Sequence, residues 1–354
     1  MGLPSINIEF IGKASNAITR SARGIVACII KDDTEGIPAV QTYSTLNDVD
    51  FKKMSEANYE FMKLIFAASP YRVIVAAQAP DAADYTGVLK TLKDLKWNYL
   101  TVPGITKEET TSIVAWIKEQ RDSKRKTFKA VLPEVVADHE GIINCTISNV
   151  NTSILDKTIS CAAYCARITG IMAAVPLSRS TTYYDLPDII SADVPEDPDA
   201  AINAGQLIAV FDGEKYKIGR GVNSLTTIPE GKSEEFKKIK IIEGKDLICD
   251  DITTTLENNY IGRVRNSYDK KQEVIAAINN YFRTIEGEIL DETYDNLCQI
   301  DIEAQKKYLN DHSVDTSKMN DVQIAEANTG SSLFVCSNIK LVDAMEDFIM
   351  VNYV

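Results

Sequence analysis

The run RVIVAA, residues 72–77, decides the fold class. After its arginine every side chain is apolar, with no polar alternation. That is the pattern of a strand buried on both faces. It follows a helical stretch, residues 56–68, with Phe61, Leu64, Ile65 and Ala68 on one face. A helix is expected over 82–95, a strand over 99–103, and a helix over 107–123 carrying Ile113, Trp116 and Ile117. Another strand follows at 128–132. Short apolar strands alternating with amphipathic helices predict a mixed α/β (α+β) chain. Its core is a partly parallel sheet flanked by helices.

Outward from this core, strands are expected at 24–30 and 142–147, and a helix at 160–172. Residues 178–198 read as loop. A hairpin turns at Asp212-Gly213 between strands 206–212 and 215–219. A strand is expected at 239–243 and a helix at 245–256. The helix over 270–289 carries the stripe Val274, Ile275, Ile278, Phe282, Ile285 and Ile289. Residues 300–309 read as a short helix or a strand running into one, and 333–341 as a strand.

The two ends are unusual. Ile6, Ile8 and Phe10 alternate with polar residues, as in a half-buried strand set apart by a break at 12–16. At the other end, Phe348, Met350 and Asn352 form one face of a last strand, and Ile349, Val351, Tyr353 and Val354 the other. A strand apolar on both faces expects burial on both. Exposed apolar edges invite pairing, and proteins normally suppress them. Gly12 and Asp343, in the stretches 12–16 and 342–347, are the expected hinges of these arms.

The chain has 354 residues, enough for two or three domains, and a net charge of −13. Residues 240–354 hold eleven lysines and arginines against twenty-one aspartates and glutamates. Binding to nucleic acid through bulk electrostatics is disfavoured. No apolar run is long enough to insert in a membrane. The start, MGLPSINIEF, lacks the basic and apolar regions of a signal peptide. Seven cysteines in mostly apolar surroundings suggest reduced thiols in a cytoplasmic protein.

Motifs of chemistry are fragmentary. Cys161 and Cys165 lie at i, i+4 on the expected helix, with no second pair or histidine to complete a metal site. His139 and His312 sit in no catalytic motif. Residues 229–233, PEGKS, end like a phosphate loop, but Thr226 stands where the first glycine belongs, and Glu234 and Glu235 follow. Residues 219–223, GRGVN, lack the third glycine of a dinucleotide turn. Lys124, Arg125 and Lys126 suit a helix C-terminus. Asp193, Glu196, Asp197 and Asp199 lack the spacing of a calcium loop. No catalytic residue, metal ligand or cofactor is expected, and the chain is read as no enzyme.

Several segments resemble the tail sheath proteins of contractile phage tails, in particular those of defective prophages and R-type bacteriocins. They are RSARGIVACII (20–30), GIMAAVPLSRSTTYYDLPDI (170–189), KIGRGVNSLTT (217–227), IKIIEGKDLICDDI (239–252), NNYIGRVRNSYDKKQEVIAAINNYF (258–282) and ANTGSSLFVCSNIKLVDAMEDF (327–348). The resemblance implies a structural subunit that stacks as hexameric rings around an inner tube. On contraction the sheath drives the tube through a target envelope. It also implies arms that pair with neighbouring subunits, through Ile6, Ile8, Phe10, Phe348, Ile349, Met350, Val351, Tyr353 and Val354. A tube contact is expected at Lys270, Lys271 and Arg283, or at Lys306 and Lys307.

Expected partners are further copies of the chain, the tube protein, and baseplate and tail terminator proteins. Assembly in the bacterial cytoplasm is expected, followed by incorporation in a phage tail or a released bacteriocin particle. The expected domains are an N-terminal arm (1–20), an N-terminal domain (21–95), a central α/β domain (96–238), a C-terminal sheath domain (239–341) and a C-terminal arm (342–354). The alternative from residues alone is a cytoplasmic α/β nucleotide-binding protein or enzyme, favoured by the α/β core and the GKS fragment.

Overall fold

The computed structural model describes residues 18–353. The expected N-terminal strand (Ile6, Ile8, Phe10), its hinge at Gly12, and Val354 lie outside the described residues. The chain divides into a larger unit, Ala22–Asp246 with Asp343–Val354, and a smaller unit containing Leu247–Val342 and residues 18–21.

The larger unit is built on strands β1 (Ile25–Lys31), β2 (Val40–Tyr43), β3 (Arg72–Gln78), β4 (Tyr99–Thr101), β5 (Lys129–Pro133) and β6 (Ile142–Cys145). A short strand at Gln206–Leu207 completes a sheet in the order Gln206–Leu207, β6, β5, β4, β1, β3, β2. All pairings are parallel except β2 with β3. Helices α1 (Glu56–Phe66), α2 (Thr86–Leu92), α3 (Lys107–Asp122) and α4 (Cys161–Ala174) cover it.

Strand β1 shows why its sequence is apolar throughout. Val26, Cys28 and Ile30 join one core with Met62 and Ile65 of α1 and Ile168 of α4. Ile25, Ala27 and Ile29 join the other with Val88 of α2 and Ile113 of α3. Strand β3, the RVIVAA run, divides the same way, with Val73 and Val75 on one side and Ile74 and Ala76 on the other. A period-2 backbone between two helical layers demands this composition. Helices α1 and α4 approach closely at Gly170, where a Cβ would lie 2.3 Å from the Ile65 carbonyl oxygen.

Helix α5 (Pro198–Asn203) and three further small strands, β7 (Val150–Thr152), β8 (Lys157–Ile159) and β9 (Ile189–Ser191), flank the sheet in sequence. The expected hairpin forms between Ala209–Phe211 and Tyr216–Ile218. The boundary expected between residues 95 and 96 falls inside one sheet, because β4 hydrogen-bonds β1. The two stretches therefore share a core.

Residues 239–243, expected as a strand, instead open helix α6 (Ile239–Asn259). The reason lies in charge rather than hydrophobicity. Glu243 and Asp246 are three residues apart and share a helical face, and both meet the buried Lys129 ammonium, at 2.9 and 2.8 Å. A strand would point them to opposite faces. Arg121 forks onto both Asp246 oxygens at 2.9 Å and reaches Glu140 at 2.9 Å. Arg23 holds Glu243 at 2.6 Å, and the Tyr99 hydroxyl donates to the same carboxylate.

Burial alone would raise the Glu243 carboxyl. The Lys129 ammonium and the Arg23 guanidinium outweigh it and hold the group at about 2. Glu140 is likewise held at about 2 against its own burial, by Lys232 and Lys245. This network fixes the first two turns of α6 to the larger unit. From Leu247 onward the helix belongs to the smaller one.

The smaller unit adds α7 (Tyr268–Ile285), α8 (Ile302–Asp311) and α9 (Asp321–Glu326), and pairs two strands, Leu297–Ile300 and Val335–Asn338, antiparallel. Val274, Ile275, Ile278, Phe282 and Ile285 of the expected stripe are buried on α7, which ends four residues before the expected helix end, and Ile289 is buried in the turn beyond it. Residues 300–309 resolve as the end of a strand running into α8. Asp251 of α6 is fully buried and accepts from the Ser21 amide and the Tyr281 hydroxyl, both at 2.6 Å. No helix of the described residues is long and apolar enough to cross a membrane.

Candidate functional site

Residues 342–353 lie outside any helix or strand. Phe348 is 78% exposed, Ile349 91%, Met350 65% and Tyr353 95%, and Val351 is exposed as well. Apolar side chains at this exposure lie on no core of their own subunit. Large contiguous apolar exposure marks an interaction surface.

The segment before them is held. Asp343 pairs with Lys238, and the Lys238 ammonium also lies 3.5 Å from Glu346. The Ser180 and Thr182 hydroxyls donate to Glu346 Oε1 at 2.8 and 2.6 Å. Arg220 reaches Asp347 at 2.5 Å. Residues 342–347, expected as a flexible joint about Asp343, thus carry three paired carboxylates.

A second feature is an open strand edge in the smaller unit. The strand Leu297–Ile300 is covered on one side by Asn279 of α7. Its amide donates to the Cys298 carbonyl at 3.0 Å, and its carbonyl accepts from the Cys298 amide at 2.7 Å. The other side pairs with Val335–Asn338 in the register Cys298↔Ser337. Since Cys298 turns its backbone toward Asn279, Ser337 opposite turns its own away from the pair, and Val335 does the same two residues earlier. Among the described residues no strand covers that edge, and all four residues of Val335–Asn338 are exposed.

The expected tube contacts separate. Lys271 is buried, and its ammonium donates to the Ala327 carbonyl at 3.2 Å. It offers no surface charge, because α7 turns it toward the segment after α9. Lys270 pairs with Glu273 at 2.5 Å on the open side of the same helix. Arg283 and Lys307 are exposed and Lys306 half-buried.

The residues weighed for chemistry are held by neighbours within the fold. His139 is buried, accepts at Nδ1 from the Gly141 amide at 3.0 Å, and lies 3.3 Å from Asp122 at Nε2. Burial holds its imidazole below the usual value. Lys232 of the GKS fragment is drawn to Glu140 at 2.7 Å, where it neutralises the buried network. After β1, where a doubly wound sheet would place a glycine-rich phosphate turn, stands Asp32. Its carboxylate is occupied by Thr34, Ser55 and Asn58.

Cys161 and Cys165 gain a third neighbour that sequence spacing could not show. Cys145, from β6, places its sulfur with theirs within 4.8 Å of one another. All three are buried, Cys161 donates to the Cys145 carbonyl at 3.1 Å, and burial pushes the Cys165 thiol well up. All three sit in the apolar core of the larger unit, packed as small apolar side chains.

Comparison with known proteins places these features. Residues 78–224 match the family model described as phage tail sheath protein central domain. Residues 231–354 match the phage tail sheath C-terminal domain. The chain is 36% identical, over 98% of both chains, to the tail sheath protein of Clostridium phage phiCD119. Its fold resembles that of a sheath tail protein from Desulfitobacterium hafniense, with a TM-score of 0.68, 16% identity and coverage of 84% of this chain and 94% of that one. It also resembles the helical sheath of the anti-feeding prophage in its contracted state, with a TM-score of 0.68, 13% identity and coverage of 100% and 99%. The chain belongs to the phage tail sheath family and is a structural subunit of a contractile tail sheath.

Proposed function

We propose that this subunit polymerises by donating its terminal strands. Residues 348–354, with Phe348, Ile349, Met350, Val351, Tyr353 and Val354, leave one subunit and add to the open edge of Val335–Asn338 in a neighbour. The matching N-terminal strand, with Ile6, Ile8 and Phe10, joins the same small sheet. The observation that carries this reading is the coexistence of an exposed apolar terminal segment and an exposed strand edge in one chain. Strand addition supplies main-chain hydrogen bonds with little demand on side chains. Each apolar side chain fully buried adds about 1.5–3 kcal/mol before ordering costs.

The polymer is a helical stack of hexameric rings around an inner tube, bounded by baseplate and tail terminator proteins and assembled in the bacterial cytoplasm. Contraction widens the stack and drives the tube through a target envelope. The strand pairs hold while the subunit bodies rotate, which is a rigid-body switch. Lys270, Arg283, Lys306 and Lys307 are the remaining basic candidates for the tube contact. Exposed ion pairs are weak and suit an interface that must release.

Electron microscopy of the chain co-expressed with its tube tests the reading. Deleting residues 348–354 should abolish sheath-length polymers. Polymers of normal length from that variant would rule out donation of the C-terminal strand.

A further inference from the structure

We infer that Ser180, Thr182, Arg220 and Lys238 together form a receptor for the acidic segment Asp343-x-x-Glu346-Asp347 of the same chain, and clip the base of the C-terminal arm to the larger unit. The inference deepens the proposed function and rests on it only for its mechanical consequence. The receptor residues come from three places in the sequence, 180–182, 220 and 238. Two of those places lie in the stretches 170–189 and 217–227, which were distinctive in sequence yet carried no chemistry.

These four residues hold the segment by charge and by hydroxyl hydrogen bonds. Lys238 bridges Asp343 and Glu346. Arg220 bridges Asp347 at 2.5 Å and Glu346 at 3.8 Å. The Gly221 amide donates to the Thr182 oxygen at 2.9 Å, which leaves the Thr182 hydroxyl proton for Glu346 Oε1. The Glu346 side chain is only 4% exposed. Charge-assisted hydrogen bonds of this kind are about twice as strong as neutral ones. The next residue free of the clip is Phe348, at 78% exposure. Tension on the donated strand therefore passes through Asp343, Glu346 and Asp347 into the larger unit, and the arm bends after Asp347.

A Glu-specific endoprotease acting on the unassembled full-length chain tests the clip directly. Cleavage after Glu346 is followed by mass spectrometry and normalised to cleavage after Glu35, which is exposed and outside the clip. The parent chain should resist cleavage at Glu346. Lys238→Glu should raise the normalised rate by about tenfold or more. Adding Asp343→Lys to that variant should bring the rate back down. In the parent chain the normalised rate should rise with salt, as the pairs are screened.

Rapid cleavage at Glu346 in the parent, no increase in Lys238→Glu, no recovery in the double variant, or no salt dependence would each overturn the clip. These readings need no polymer, so they stand apart from the residue 348–354 deletion, which reads strand donation alone.

Discussion

At Gly170 a single hydrogen atom sets how closely α1 and α4 pack. The site tolerates no Cβ, since one would sit 2.3 Å from the Ile65 carbonyl. Gly170→Ala should therefore destabilise the subunit by about 2–3 kcal/mol, despite the better helix propensity of alanine. Thermal unfolding of the purified chain measures this. Asp246 presents the opposite case, a buried anion met by Arg121 and Lys129. Asp246→Asn leaves those cations undercompensated and should cost about 3–5 kcal/mol in denaturant unfolding.

The same network sets an acid limit. Glu140 and Glu243 titrate at about 2 in the folded chain, below the unfolded value near 4.3. The unfolded chain binds protons first as pH falls. Stability from these groups is thus complete above about pH 5 and is lost progressively toward pH 2. Unfolding midpoints measured from pH 7 to pH 3 should fall mainly below pH 5.

At the scale of elements, the edge strand Val335–Asn338 separates folding from assembly. Ser337 directs its N–H away from the Leu297–Ile300 strand, so proline there removes no hydrogen bond within the pair. Ser337→Pro should change monomer stability by less than about 1 kcal/mol, yet block strand addition. Unfolding midpoint and polymer length by electron microscopy, read on one preparation, test both halves. Helix α6 teaches a related lesson. Ile239, Ile241 and Ile242 look like a strand when hydrophobicity is read alone. The helix follows from Glu243 and Asp246, whose partners Arg23, Tyr99, Arg121 and Lys129 lie far away in sequence.

For the whole molecule, the described residues bury their core side chains while the apolar residues 348–351 and 353 stay exposed. The chain without residues 348–354 should keep its thermal midpoint within about 1 °C, because residues 348–353 are exposed. It should stay unpolymerised under conditions that assemble the parent, as sedimentation would show.

The α/β class, the core strands and the α7 stripe were legible in the sequence, because burial on two faces or one leaves a period that local inspection detects. The apolar run 348–354 was visible in the sequence too, but the described residues 348–353 form no strand within the subunit. The tertiary structure alone decided what depends on residues distant along the chain. It joined the expected N-terminal and central domains through one sheet, turned Lys271 inward, and added Cys145 to Cys161 and Cys165. It also paired Asp343 with Lys238 and Asp347 with Arg220, in the segment expected as a hinge. Charge pairing at 2.5–3.5 Å has no period and no preferred sequence separation, so only the folded backbone brings its partners together.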